Sequence, residues 1–370
     1  MEALWAFSRT IISFVVSLGI LIFIHEFGHF VAAKLFGVKV ERFSLGFGPR
    51  LLGKEVGDTD YRISAFPLGG YVKMLGESTD EEIPEELHPV SFSHQPLRRR
   101  MNIVAAGPGS NLLLAVLLYA FIFAFFGLTE TSTDIGSVTP DSPAAAAGLK
   151  SNDKVLAIDG APVKVWSDLS QLIQESGNKK IQLKLQRGDE VFTVELTPEV
   201  RETKNILGEK ISRPLIGIVA SNNIIVEKVN PFQAVYYAVT HTVGMIKLTF
   251  VVLGKLIVGA ISPKTLAGPI GIAQMSGEVA KAGPVAFLYF LALLSINLGI
   301  LNLLPIPILD GGHLLFFSIE AIMGKPLSIR KREVAQQVGL FDSERRAVLT
   351  ASGNCLWCMY NKAIWASKPS

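Results

Sequence analysis

The stretch Ser17–Val38, SLGILIFIHEFGHFVAAKLFGV, constrains this chain more than any other. It belongs to an apolar run over about 10–34, and a membrane-crossing helix needs about 20 such residues. Inside that run stand His25, Glu26 and His29. Each ionisable group near a bilayer centre costs about 2.5–3.5 kcal/mol or more, so groups placed there need a use. On a helix His25 and His29 are i and i+4, one turn apart on one face, and both imidazoles can reach one zinc ion. Glu26 is then placed to take a proton from water at the metal, as a general base. The plain alternative is a buried polar cluster satisfied by other spans.

The rest of the chain supports the membrane setting. Of 370 residues, 49% are hydrophobic and only 18% charged, with mean hydropathy +0.39, against about 25% charged in soluble chains. Further apolar runs at about 102–127 and 285–304 read as spans. The stretch 232–261 is also apolar but carries His241, Lys247 and Lys255, which favours an amphipathic helix lying on the interface. The N-terminal run Ile11–Ile24 lacks a small-residue cleavage site, so no removable signal is expected. A net charge of +3 without clustering gives no argument for a nucleic-acid partner.

Two regions interrupt the apolar pattern. Residues 129–205 are polar and turn-rich, with alternation at Lys154–Ile158, Ile181–Gln186 and Val191–Leu196 predicting strands and Trp166–Ser176 a helix. A small soluble α+β domain inserted between spans is expected. Residues 34–101 alternate in short runs broken by glycine and proline, which predicts β-hairpins, able to dip into the bilayer where protein surrounds them. Lysine and arginine bias sets orientation: Arg98, Arg99 and Arg100 precede the second span, and Lys325, Arg330, Lys331 and Arg332 follow the third. Residues 34–101 and 325–333 should therefore be cytoplasmic and the insert should face outward.

Two histidines do not complete a catalytic zinc site, which needs a third ligand and an open position. Asp310, in NLGILNLLPIPILDGGHL, follows Pro305 and Pro307 at the end of the third span and falls on the same side as His25 and His29. His313, three residues on, is a rival ligand by residue type.

Taken in order, HEFGH, PLGGYVKMLGE, AAGPGSN, the single insert and NLLPIPILDGGHL resemble the site-2 protease family, bacterial intramembrane zinc metalloproteases of the RseP/RasP kind. The stretch SPAAAAGLKSNDKVLAIDG within the insert resembles a PDZ domain, a module that binds extended peptides by strand addition. The resemblance implies an α-helical polytopic membrane protein with a cytoplasmic-side re-entrant β-hairpin region and an inserted α+β PDZ-like domain. It implies His25, His29 and Asp310 as zinc ligands and Glu26 as the base. Asn302 would bind the substrate backbone or stabilise the oxyanion, Pro305 and Pro307 would shape the loop beside the metal, and Asn111 would support the active helix. The hairpin at Gly69 and Gly70 would pair with unwound substrate, and Ala147, Gly148 and Leu149 would lie near the PDZ groove.

The activity so implied is regulated intramembrane proteolysis in the bacterial cytoplasmic (inner) membrane. Substrates would be transmembrane proteins already trimmed by an upstream site-1 protease, such as anti-sigma factors or signal-peptide remnants, with the lipid bilayer as the other partner. A catalytically silent scaffold that captures peptide ends through the insert, and a metal transporter, are the rival readings. The expected organisation is 1–128 and 285–340 for the protease core, 129–205 for the insert, 206–284 for a connecting region and 341–370 for an atypical tail. The family ordinarily has a further span after the stretch Arg332–Gly339, whereas composition turns polar at Asp342. A displaced reading frame and a genuine variant both produce such a tail. Its Cys355 and Cys358 are a C-x-x-C pair with no histidine near, half a metal site at most.

Overall fold

The structure is a computed structural model and describes residues 1–77, 82–204, 210–262 and 268–325. The tail, with Cys355 and Cys358, lies outside the described residues. The described chain forms two compact units, 1–123 with 231–325, and 124–230.

The first unit is mainly helical. Helix α1 (Glu2–Leu35) has 34 residues, about 51 Å at 1.5 Å per residue. It is followed by two long antiparallel strands, β1 (Val40–Val56) and β2 (Thr59–Met74). Val56 pairs with Thr59 across a two-residue turn, and Gly57 has φ 61°, which a short hairpin turn demands. The expected hairpins are thus one ribbon of two strands. Its base is buried at Val40, Val72 and Met74, while Leu51, Leu52 and Val56 towards its tip are exposed. Then come α2 (Leu97–Phe126), and, after the insert, α5 (Pro231–Ile257), α6 (Pro269–Ala282), α7 (Pro284–Leu303) and α8 (Asp310–Met323). One apolar cluster joins Ala32 and Ala33 of α1, the hairpin base, Ile103 and Val104 of α2, and Phe317 of α8. Helix α6 lies on α1, with the hydroxyls of Ser17 and Ser276 3.4 Å apart.

Helices α1, α2, α5 and α7 are long and apolar enough to cross a membrane. For α5, expected above to lie on the interface, length and composition allow a span as well. Its buried residues Ala234, Ala238, Thr242, Met245 and Val252 form one stripe, and it packs on α7. The His241 ring lies 4.6 Å from Tyr119 and 6.0 Å from Phe123 of α2, centroid to centroid. A polar residue turned towards neighbouring helices does not need the headgroup layer.

The insert contains β3 (Leu128–Thr131), β4 (Ile135–Val138), α3 (Pro143–Ala146), β5 (Lys154–Ile158), β6 (Ala161–Pro162) and α4 (Trp166–Ser176). It continues with β7 (Ile181–Arg187), β8 (Glu190–Leu196), β9 (Glu199–Lys204), β10 (Lys210–Leu215), β11 (Ile218–Ala220) and β12 (Ile224–Glu227). A four-stranded antiparallel sheet runs β6-β5-β7-β8. Alternate residues Ile181, Leu183 and Leu185 face Leu169 and Ile173 of α4 in the core. The unit is wider than 129–205 because β11 and β12 return to pair with β4 and β3.

One ion pair fastens this sheet to the turn after α3. Arg187 donates from Nε to Asp153 Oδ1 (2.6 Å) and from one terminal nitrogen to Oδ2 (2.7 Å), and also reaches the Gly148 carbonyl (2.9 Å). Burial alone would raise the Asp153 carboxyl; the Arg187 fork and the Lys150 N–H hold it below its usual value. A depressed carboxyl contributes stability at neutral pH that is lost as pH falls below about 4. Asp153→Asn is therefore expected to speed hydrogen exchange of β5 and β7 in the full chain at pH 7, with the gap closing towards pH 3. A pH-independent gap would refute that assignment.

Candidate active site

Helix α1 carries His25, Glu26 and His29, and its approach to α2 is set by small residues. A Cβ at Gly28 would stand 2.4 Å from the Ala106 carbonyl oxygen, and one at Gly107 only 2.2 Å from His29 Nε2. Two missing side chains thus let the helices approach until the His29 ring lies on the α2 backbone. The third residue arrives from α8, whose first residue is Asp310.

His25, His29 and Asp310 are the group able to hold a metal among the described residues. The two Nε2 atoms are 3.2 Å apart, and Asp310 Oδ2 is 3.0 Å from that of His25 and 3.5 Å from that of His29. Ligands about 2.0–2.1 Å from a tetrahedral zinc ion stand about 3.3 Å from one another. Asp310 Oδ2 is buried without accepting an aligned hydrogen bond, as an atom aimed at a shared centre would be. The residues fit zinc.

The other imidazole nitrogens fix how the rings present themselves. His29 Nδ1 lies 2.9 Å from the Ile103 carbonyl oxygen, which can only accept, so Nδ1 carries the proton and Nε2 keeps its lone pair. His25 Nδ1 faces the Asn111 amide at 3.1 Å and the Asn302 amide at 3.4 Å. Asn111 is fully buried and its Oδ1 has no partner. Turning that amide end for end lets Oδ1 accept the Nδ1–H of His25 and leaves Nε2 free for a metal.

The hairpin closes the other side. Val72 N–H donates to Glu26 Oε2 at 3.1 Å, which holds the carboxylate beside the two histidines. Gly70 is buried next to it: a Cβ there would be 2.7 Å from the Ser44 carbonyl and 3.7 Å from Glu26 Cγ. Gly69 has φ 142° and presses on the Phe47 ring.

Asn302 stands in the last turn of α7, and Pro305 and Pro307 lie in the turn between α7 and α8. His313 is one turn into α8 and outside the three-residue group. In the insert, Gly148 takes a left-handed turn (φ 78°) and Leu149 is buried in the core. A cavity of about 500 Å³ lies beside α3, lined by Asp141, Ser142, Pro143 and Glu199 among others, and not by Ala147, Gly148 or Leu149. Sequence reasoning missed Ile103, Val72 and Gly107. The first two act through backbone atoms and leave no side-chain signal, whereas Gly107 stood in the quoted GPGSN stretch.

A membrane-length helix that brings two histidines and a glutamate to an aspartate from a shorter helix defines a membrane protein with a metal-dependent hydrolase centre. Peptidase family M50 matches residues 13–342. A Rickettsia conorii protein named "Putative zinc metalloprotease" is 39% identical over 338 residues, covering 89% of this chain and 94% of its own. An Agrobacterium fabrum protein of the same description is 36% identical, covering 89% and 91%. The PDZ domain of an SdrC-like protein from Listeria monocytogenes is 23% identical and overlays 25% of this chain and 90% of that one, with TM-score 0.21. An overlay that small leaves the fold of the insert resting on its own strands. The chain belongs to peptidase family M50 and is a zinc metalloprotease.

Proposed function

We propose that this protein hydrolyses peptide bonds within the transmembrane segments of other membrane proteins. The observation that carries the proposal is the convergence of three ligand atoms, 3.0–3.5 Å apart, on a helix long and apolar enough to cross a membrane. His25, His29 and Asp310 would hold zinc, which when bound supplies Lewis acidity towards the scissile carbonyl. Glu26 takes the proton from the attacking water and returns it to the leaving amine nitrogen. Asn111 orients His25. Asn302, whose amide stands 3.4 Å from His25 Nδ1, would bind the substrate carbonyl or its oxyanion, and Pro305 and Pro307 would shape the turn that carries Asp310.

A helical peptide bond is shielded and must be extended before water can attack it. The hairpin edge near Gly69 and Gly70 offers backbone partners to such an unwound segment, and it lies against Glu26. Trimmed membrane anchors, of the kind left on anti-sigma factors or signal peptides after an upstream cut, would suit a site carried on a membrane-length helix. In the bacterial cytoplasmic membrane the positive charges beside α2 and α8 would place the site towards the cytoplasm and the PDZ-like insert outside.

The test is cleavage in proteoliposomes of a trimmed single-span substrate, with the cut mapped by mass spectrometry. The cut should fall inside the span and disappear with a zinc chelator. Asp310→Ala should remove zinc while His313→Ala retains it. A cut confined to residues outside the span, or zinc kept by Asp310→Ala, would refute the reading.

A further inference from the structure

Asp310 comes from a helix remote in sequence from the two histidines, so something must hold α8 in place. At its N-terminal end, Gly311 and Gly312 pack against the backbone of the α7–α8 turn: a Cβ at either would come within 2.2–2.3 Å of the Leu304 or Ile306 carbonyl oxygen. Ten residues after Asp310 the same helix carries Glu320, opposite Arg100 in the first turn of α2. Arg100 meets it fork to fork, with nitrogen–oxygen distances of 2.5 and 3.3 Å. Both side chains are nearly buried, 13% and 11% exposed. Arg100 Nε also donates to the Gln95 carbonyl at 3.1 Å, and its guanidinium carbon lies 4.9 Å from the centre of the Phe317 ring. Phe317 is itself packed among Ala32, Ala33, Ile103 and Val104.

The same turn of α2 therefore serves two ligands. Ile103 holds the His29 ring through its carbonyl, and Arg100, three residues earlier, holds the helix that brings Asp310. We infer that Arg100 is a positioning residue for the metal: its two-pronged bond to Glu320 sets α8 so that Asp310 Oδ2 meets both imidazoles. Arginine suits the task because its planar fork fixes direction as well as distance, which a lysine ammonium does not. Without Arg100 the nearly buried Glu320 carboxylate loses its fork-to-fork partner, a costly loss that α8 relieves by moving outward. A metal centre tolerates little such movement, since its ligands must be held within about 0.5 Å.

The inference rests on the zinc reading above and is tested on zinc itself, with the full chain in detergent. Zinc affinity is measured by competition with a chelator, beside the unfolding temperature of the zinc-free chain. Arg100→Ala should weaken zinc by about 10–100-fold, the range for residues that orient metal ligands. Arg100→Lys, which keeps the charge and folds more readily, should weaken it by a smaller factor. The exchange Arg100→Glu with Glu320→Arg should recover most of the loss. Arg187→Ala, which breaks the ion pair of the insert, should leave zinc affinity at the parent value. Parental affinity in both Arg100→Ala and Arg100→Lys overturns the inference alone, as does a fall in unfolding temperature with zinc affinity unchanged. Zinc retained by Asp310→Ala overturns the metal reading and this inference with it.

Discussion

Replacing Glu26 with glutamine is expected to slow peptide cleavage by about a hundred- to ten-thousand-fold, the usual worth of a positioned general base, without changing zinc content. Glutamine has nearly the same shape, and its amide oxygen can still accept the Val72 N–H that now holds Oε2 at 3.1 Å. Gly70 stays seated against the side chain, and the His25–His29–Asp310 group does not depend on Glu26 for any ligand atom. What is lost is the ability to take a proton from water and give it to the departing amine. Zinc per chain and the rate of cleavage of a membrane-anchored reporter, read on the same preparation, decide the matter. Parental cleavage by Glu26→Gln would end the protease mechanism proposed here, and zinc loss would mean that Glu26 acts on the metal site itself.

The second large effect comes from a residue with no side chain. Gly107→Ala is expected to cost the protein its zinc and hence its activity. The added carbon would lie 2.2 Å from Nε2, 2.4 Å from Cε1 and 2.8 Å from Cδ2 of His29. The ring must swing away, which breaks its bond to the Ile103 carbonyl and removes Nε2 from its place 3.2 Å from the His25 nitrogen. Zinc affinity should fall by about 100-fold or more, beyond the upper range for disturbing a ligand's orientation alone. Gly109 provides the comparison two residues away, because a Cβ there meets nothing within 4 Å. Gly109→Ala should bind zinc normally and be no less stable, since alanine favours helix over glycine by about 1 kcal/mol. Equal zinc affinity in the two variants would show that the close approach of α1 and α2 is not what seats His29.

Much of this protein could be read before any coordinates. The i, i+4 pair His25 and His29 with Glu26 between them needs only helical periodicity. Alternation marks the strands β5, β7 and β8, and helical period marks α4, each within a residue of its observed ends. Spacing alone left Asp310 and His313 both open as the third ligand, and the distances bring only Asp310 to the group. For α5, His241 and two lysines suggested an interface, while its length and apolar composition also allow a span. The aromatic rings that receive His241 belong to α2, more than a hundred residues earlier.

What the sequence determined by itself is therefore everything with a short repeat: the membrane-length helices, the metal motif on one helical face, the hairpin and the separate α+β insert. Hydropathy and side-chain period act over a few residues, so a chain displays them directly. What only the tertiary structure decided is convergence: Asp310 against two histidines nearly three hundred residues away, Ile103 and Val72 acting through backbone atoms, Gly107 as the floor under His29, and Arg100 on the far end of α8. Those depend on how closely two backbones approach and on which carbonyl faces which ring. Such distances are set by the packing of several helices at once, and no local pattern records them.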